Sequence, residues 1–173
     1  MTENSQLIQA AINGNRAAFQ QLLEEYYPVI YRMAYRYTGN KSDAEDIAQD
    51  ICLKLVHKLG SFKGNGRFST WLYSLVMNRC RDSDKSRRSH RALEQNYTEI
   101  EKHEQENQKD SNRKIAWLYR HISQLEPALK ETALLVLTEE LSHGEAARIL
   151  GCAESTISWR MLKIREYLKE RLV

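Results

Sequence analysis

The chain has 173 residues, 42% hydrophobic and 28% charged, with a net charge of +3, which is the balance of a soluble protein with one or two small cores. The longest apolar run, Ala133 to Leu137, is too short for a bilayer span, the N-terminal stretch lacks a basic-then-apolar leader pattern, and three scattered cysteines (Cys52, Cys80, Cys152) give neither a disulfide framework nor a CxxC metal knuckle. These features point to a cytoplasmic protein, and the mild net charge means that any nucleic-acid argument rests on where the cations lie.

Apolar residues recur with a helical period almost throughout. Phe19, Leu22, Leu23, Tyr26, Ile30, Met33, Ala34 and Tyr37 share one helix face, and Gly39 is placed to close that helix. The next helix is expected to open on a capping box, Ser42 to Glu45. Its inner face is Ala44, Ile47, Ala48, Ile51, Cys52, Leu55, Val56 and Leu59, and Gly60 ends it. A loop from Ser61 to Arg67 leads into a third helix from about Thr70, with Phe68, Trp71, Leu72, Leu75, Val76 and Cys80 facing inward.

From Ser89 to Ser111 the composition shifts to Glu, Gln, Asn and Lys. Such a segment cannot bury enough surface to offset its ordering entropy and is expected to be a flexible tether, with a solvated helix as the alternative. Helical patterning then resumes. Ile115, Leu118, Ile122 and Leu125 form one stripe. Pro127 suits the first position of a helix carrying Leu129, Ala133, Val136 and Leu137. A second capping box, Ser142 to Glu145, opens a short helix that Gly151 stops, and a last helix sets Ile157, Met161, Ile164 and Leu168 on one side. No stretch alternates with period two. The expected fold is all-α: two small helical domains at 1–90 and 112–173, joined by an acidic linker at 91–111.

Charge is concentrated. Lys63 to Arg91 holds eight basic residues against two acids, the chain from Thr156 holds five against two, and Ser89 to Ser111 reverses the sign with six acids against three bases. Each basic patch suits phosphate, and each lies beside a candidate recognition element.

Leu141 to Arg160 has the makings of a helix-turn-helix: a capped short helix with small Ala146 and Ala147, a glycine turn, and a second amphipathic helix. Ser155, Ser158, Trp159, Leu162 and Lys163 then face outward. Trp159 has three open readings: contact with a neighbouring helix, with a base or sugar, or with a protein partner. Upstream, Asp46, Gln49, Asp50 and Leu53 form an outward stripe beyond the reach of the helix dipole, a docking surface for a basic partner. The loop Lys63 to Phe68, followed by Ser69-Thr-Trp-Leu-Tyr73, interleaves basic and aromatic residues in a way that suits melted DNA, although Phe68 and Trp71 also read as core.

Asp43 to Asp50, Phe68 to Tyr73 with Asn78, Leu125-Glu-Pro127, and Leu141 to Arg160, in this order and spacing, resemble the extracytoplasmic-function (ECF) group of bacterial sigma factors. The resemblance implies two helical domains, sigma region 2 and the helix-turn-helix of sigma region 4. It implies core RNA polymerase, through its β′ and β subunits, and promoter DNA as partners, with an anti-sigma factor or other regulator acting in trans. It places polymerase contacts on Asp43, Asp46, Gln49, Asp50 and Leu53. It places −10 contacts on Lys63, Arg67, Phe68, Ser69, Thr70, Trp71, Asn78, Arg79, Arg81, Lys85, Arg87 and Arg88, and −35 contacts on Ser155, Thr156, Ser158, Trp159, Arg160 and Lys163. In that last set the serines are expected to donate hydrogen bonds, Lys163 to meet a phosphate or guanine, and Trp159 to cover a thymine methyl or sugar. The family often carries Arg or Lys where Ser158 stands, a small residue where Trp159 stands, and an aromatic where Cys52 stands.

Catalysis finds no support: there is no nucleophile elbow, no HExxH, and Gly64-Asn-Gly66 is too short for a P-loop. No cofactor, metal or small-molecule substrate is expected. The alternatives are an autonomous helix-turn-helix regulator, which would leave the acidic stripe and the aromatic-basic loop unexplained, and a protein-interaction module that occupies polymerase without DNA, against which the basic patches speak. The chain is expected to be cytoplasmic and nucleoid-associated when bound to polymerase.

Overall fold

The computed structural model describes residues 5–93 and 110–172, and the side chains of 5–86 and 114–172. No strand occurs among the described residues. The expected linker falls largely on residues 94–109, outside the described residues.

The N-terminal half contains α1 (Ser5–Ile12), α2 (Arg16–Thr38), α3 (Lys41–Lys58), a 3-10 turn (Leu59–Ser61) and α4 (Phe68–Leu93). α2 is the hub, packed against α1, α3 and α4. Asn15 caps it, its side-chain oxygen accepting from the Ala18 amide at 3.1 Å. Gly39 closes it at φ 67°, a left-handed conformation that glycine adopts without penalty, and donates its N–H to the Tyr35 carbonyl at 2.8 Å.

The next residue already starts the following helix. Asn40 caps α3, its side chain accepting from the Asp43 amide at 3.1 Å. A simple cap by Asn40 therefore takes the place of the capping box expected at Ser42: the helix begins two residues earlier, directly after the left-handed turn at Gly39. Ala44, Ile47, Ala48, Ile51 and Leu55 are buried to 1% exposure or less. Val56, expected inward, is 57% exposed. At about 100° per residue it stands roughly 120° from the centre of the buried face and belongs to the outward side with Leu53. α4 begins at Phe68, ahead of the expected Thr70.

The C-terminal half contains α5 (Asp110–Ser123), α6 (Pro127–Ala133), a π turn that continues α6 (Leu134–Thr138), α7 (His143–Leu150) and α8 (Glu154–Lys169). The π turn shifts the expected apolar face. The Glu139 amide bonds the Leu134 carbonyl five residues back at 3.2 Å, so the wider turn carries Leu134 and Leu135 into the core and leaves Leu137 exposed. Ile115, expected in the α5 stripe, is also exposed, whereas Ile122 and Leu125 are buried. Ser142 and Glu145 form the capping box expected of them, and Gly151 ends α7 at φ 65°. Ile157, Met161 and Ile164 seat α8 at 2% exposure or less. The buried residues of both halves form one continuous cluster, and α4 meets α7 across it.

Candidate nucleic-acid interface

The geometry of α8 follows from its register. Ile157, Met161 and Ile164 occupy the core, so the residues half a turn away, Ser155, Ser158, Trp159, Leu162 and Lys163, face solvent. Trp159 is 57% and Leu162 is 52% exposed, so the tryptophan is not spent on packing within the chain. Lys163 pairs with Glu166 at 3.0 Å on the surface, an exposed contact that a phosphate can readily displace. Thr156 and Arg160 are half-buried on the flanks. Gly151 and the capped start of α7 hold the two helices in the helix-turn-helix arrangement.

In the N-terminal half, the loop after the 3-10 turn rests on rings. Phe68 is fully buried, with its ring 4.9 Å from that of Tyr26, 5.3 Å from Phe62 and 5.4 Å from Trp71. Phe68 therefore anchors the loop from below and presents no surface to a ligand, which corrects its placement among the contact residues. Trp71, Ser69 and Thr70 are half-buried above it. Lys63 and Arg67 are exposed. Asn78 and Lys85 are exposed along α4, while the side chains of Arg87 and Arg88 lie outside those described.

Two arginines of this surface, Arg79 and Arg81, are engaged. Arg79 donates from both Nε and Nη2 to Asp50 Oδ2, each at 2.6 Å, tying α4 to α3. Arg81 forks onto Glu131, Nε to Oε1 and Nη2 to Oε2, each at 2.7 Å. Arg67 lies 3.8 Å from Glu145. Arg36 bonds Glu139 and the Thr138 carbonyl, and the Tyr73 hydroxyl donates to Glu139 at 2.6 Å. Burial, reinforced by the Glu139 carboxylate, pushes the Tyr73 phenol well above its ordinary range. Glu131 and Glu139 are both buried acids whose partners come from the other half of the chain. Among the described residues, no buried side-chain polar atom lacks a partner. Sequence reasoning missed Glu131, Glu139 and Glu145 as counterparts of the basic surface. The available signal was that Glu131 and Glu139 flank the most apolar run of the chain.

On α3, Asp46, Gln49 and Leu53 are exposed, Leu53 at 67%, whereas Asp43 and Asp50 are half-buried. Val56 carries the apolar surface onward into an open cleft lined by Ile12, Phe19 and Leu59.

Comparison with known proteins agrees with this geometry. Residues 22–91 match the sigma-70 region 2 family. The chain is 26% identical to the RNA polymerase sigma-H factor of Pseudomonas aeruginosa, over 98% of this chain and 94% of that protein. It is 29% identical to the ECF RNA polymerase sigma factor SigM of Mycobacterium tuberculosis, over 98% and 84%. Its fold is that of the sigma factor RpoE of Bartonella quintana, solved in complex with the anti-sigma factor NepR, at TM-score 0.73 and 24% identity over 89% of this chain and 96% of that one. The chain is similar over nearly its whole length to ECF RNA polymerase sigma factors, and the function these comparisons support is that of a sigma factor in transcription initiation. None of the described helices is long and apolar enough to cross a membrane.

Proposed function

We propose that the chain binds core RNA polymerase through the outward face of α3, Asp43, Asp46, Gln49, Asp50 and Leu53, and directs the complex to promoters through two DNA surfaces. The −10 surface comprises Lys63, Arg67, Ser69, Thr70, Trp71, Asn78, Arg79, Arg81, Lys85, Arg87 and Arg88. The −35 surface is the outer face of α8: Ser155, Thr156, Ser158, Trp159, Arg160 and Lys163. The observation that carries this reading is the division of α8 into a buried row, Ile157, Met161 and Ile164, and an outward row centred on an exposed tryptophan. An amphipathic second helix of this kind in a helix-turn-helix is built to enter a major groove.

In the described arrangement Arg81 holds Glu131 of the C-terminal half through two short hydrogen bonds. Arg81 meets DNA only after the halves part, so polymerase binding and opening go together in this reading, whereas Arg67 is already largely exposed. An anti-sigma factor is the natural regulator in trans, as NepR is the partner of the structurally similar RpoE. We assign the chain no catalytic role. The reading is tested by transcription with reconstituted holoenzyme: Trp159→Ala relaxes preference at one −35 base pair, and Asp46→Arg lowers affinity for core polymerase without altering helicity. Unchanged behaviour of both variants overturns it. An autonomous regulator is not favoured, because it gives the α3 surface no task.

A further inference from the structure

Ser158 lies on the outer row of α8 and is tied to the first residue of α7. His143 Nδ1 is 3.0 Å from Ser158 Oγ, and Ser158 Oγ is 3.2 Å from the Glu154 carbonyl one turn back. A serine hydroxyl has one proton to give and two lone pairs to receive. If His143 carries its proton on Nδ1, it donates to Ser158, and the serine proton goes to the Glu154 carbonyl. If Nδ1 is bare, the serine proton goes to Nδ1. In both tautomers the proton stays inside the protein, and Ser158 has only acceptor capacity left for a ligand.

We propose that His143 and Ser158 form one unit that presents a hydrogen-bond acceptor to the major groove, so that this position selects the exocyclic amino group of adenine or cytosine on the contacted strand. This rests on α8 being the −35 reader and refines that reading. In the major groove the only base groups that donate are adenine N6 and cytosine N4, whereas guanine and thymine offer acceptors at this edge. A lysine or arginine in the same place has donors only and selects the opposite set. The serine is therefore an acceptor, in place of the donor expected from the sequence. His143 acts as a positioning residue, since in either tautomer it keeps the serine proton turned away from the groove without itself needing to touch the base.

The test uses holoenzyme reconstituted from the full chain and core polymerase. A promoter library randomised at the −35 element locates the base pair whose preference Ser158→Ala removes. At that pair, nebularine for adenine, or 2-pyrimidinone for cytosine, deletes only the amino group. The expected result is that this deletion weakens binding of the unaltered protein by about five- to tenfold, the worth of one good hydrogen bond, and of the Ser158→Ala protein by about twofold or less. His143→Ala narrows discrimination at this pair alone, and His143→Asn, which keeps a donor and an acceptor near the Nδ1 position, restores it. Equal loss in the unaltered and Ser158→Ala proteins, no loss in either, or full discrimination in His143→Ala overturns the proposal. If −35 selection persists at other pairs in those cases, α8 remains the reader. If Ser158→Ala and Trp159→Ala both leave every −35 preference intact, α8 is not the reader and both readings fall.

Discussion

Arg81 and Glu131 face each other across the two halves of the chain through a planar fork of two 2.7 Å hydrogen bonds, with Glu131 nearly buried and Arg81 at the rim. The sequence places Arg81 on a DNA-facing surface, and the structure commits it to a carboxylate contributed by α6. The paired carboxylate also holds the guanidinium still more firmly protonated.

Removing one member of this pair leaves the other in a poorly solvated place. Arg81→Ala is expected to lower stability by about 2–4 kcal/mol, read from the urea midpoint. Arg81→Leu combined with Glu131→Leu is expected to recover most of that loss, because an apolar pair carries no stranded charge. A double variant as unstable as the sum of its singles would show that the fork contributes no coupling.

The acidic surface of α3 divides into two kinds of residue. Asp46 is exposed, whereas Asp50 takes both donors of Arg79. Asp46→Arg is expected to change stability by no more than about 0.5 kcal/mol, and Asp50→Arg by about 1–3 kcal/mol through loss of the α3–α4 tie and repulsion of Arg79. Both weaken polymerase binding in a direct titration. The unfolding curves separate the two effects, and identical curves for both variants would remove the structural role of Asp50.

Alkaline pH loads the core of α4. Burial pushes the Cys80 thiol up to about 12 from an ordinary value of 9.0. The unfolded chain ionises this thiol first and binds fewer protons, so stability is full below about pH 9 and falls as pH rises toward the native value, by at most about 1.4 kcal/mol per pH unit. Cys80→Ala is expected to flatten that slope in pH-dependent urea melts, even though the cavity lowers its starting stability. An unchanged slope above pH 9 would place the alkaline sensitivity elsewhere, with the buried phenols of Tyr37 and Tyr73 next in line.

The capping box of α7 is sensitive at the acid end. The backbone and side-chain hydrogen bonds of Ser142 hold the Glu145 carboxyl below its ordinary range. Its contribution is present above the unfolded value and lost as pH falls through the native one. Ser142→Ala is expected to cost about 1 kcal/mol at neutral pH and to return Glu145 toward the ordinary carboxylate range. NMR titration of the Glu145 side-chain carboxyl measures this directly.

Much of the architecture is legible in the sequence because helical periodicity and capping are local. The Ser142 box, Gly39, Gly151, Pro127 at a helix start and the buried row of α8 all follow from residues within a few positions of one another. The departures have nonlocal or competing causes. Asn40, directly after the left-handed turn at Gly39, took the cap from Ser42. The π turn at Leu134 moved an apolar face by one residue, which periodicity of 3.6 cannot foresee. Phe68 carries a basic neighbour and an aromatic context, yet the rings of Tyr26, Phe62 and Trp71 enclose it. The pairing of Arg81 with Glu131 spans fifty positions, and nothing local to either residue announces it.

In vitro transcription from a random promoter library, with core polymerase in the presence and absence of the chain, asks whether this chain gives core RNA polymerase its promoter choice. Transcripts are expected only with the chain, and only from templates carrying two short elements at a fixed spacing, one lost in the Trp159→Ala protein. Selective DNA binding by the chain alone, with no templates chosen by polymerase in its presence, would contradict that expectation.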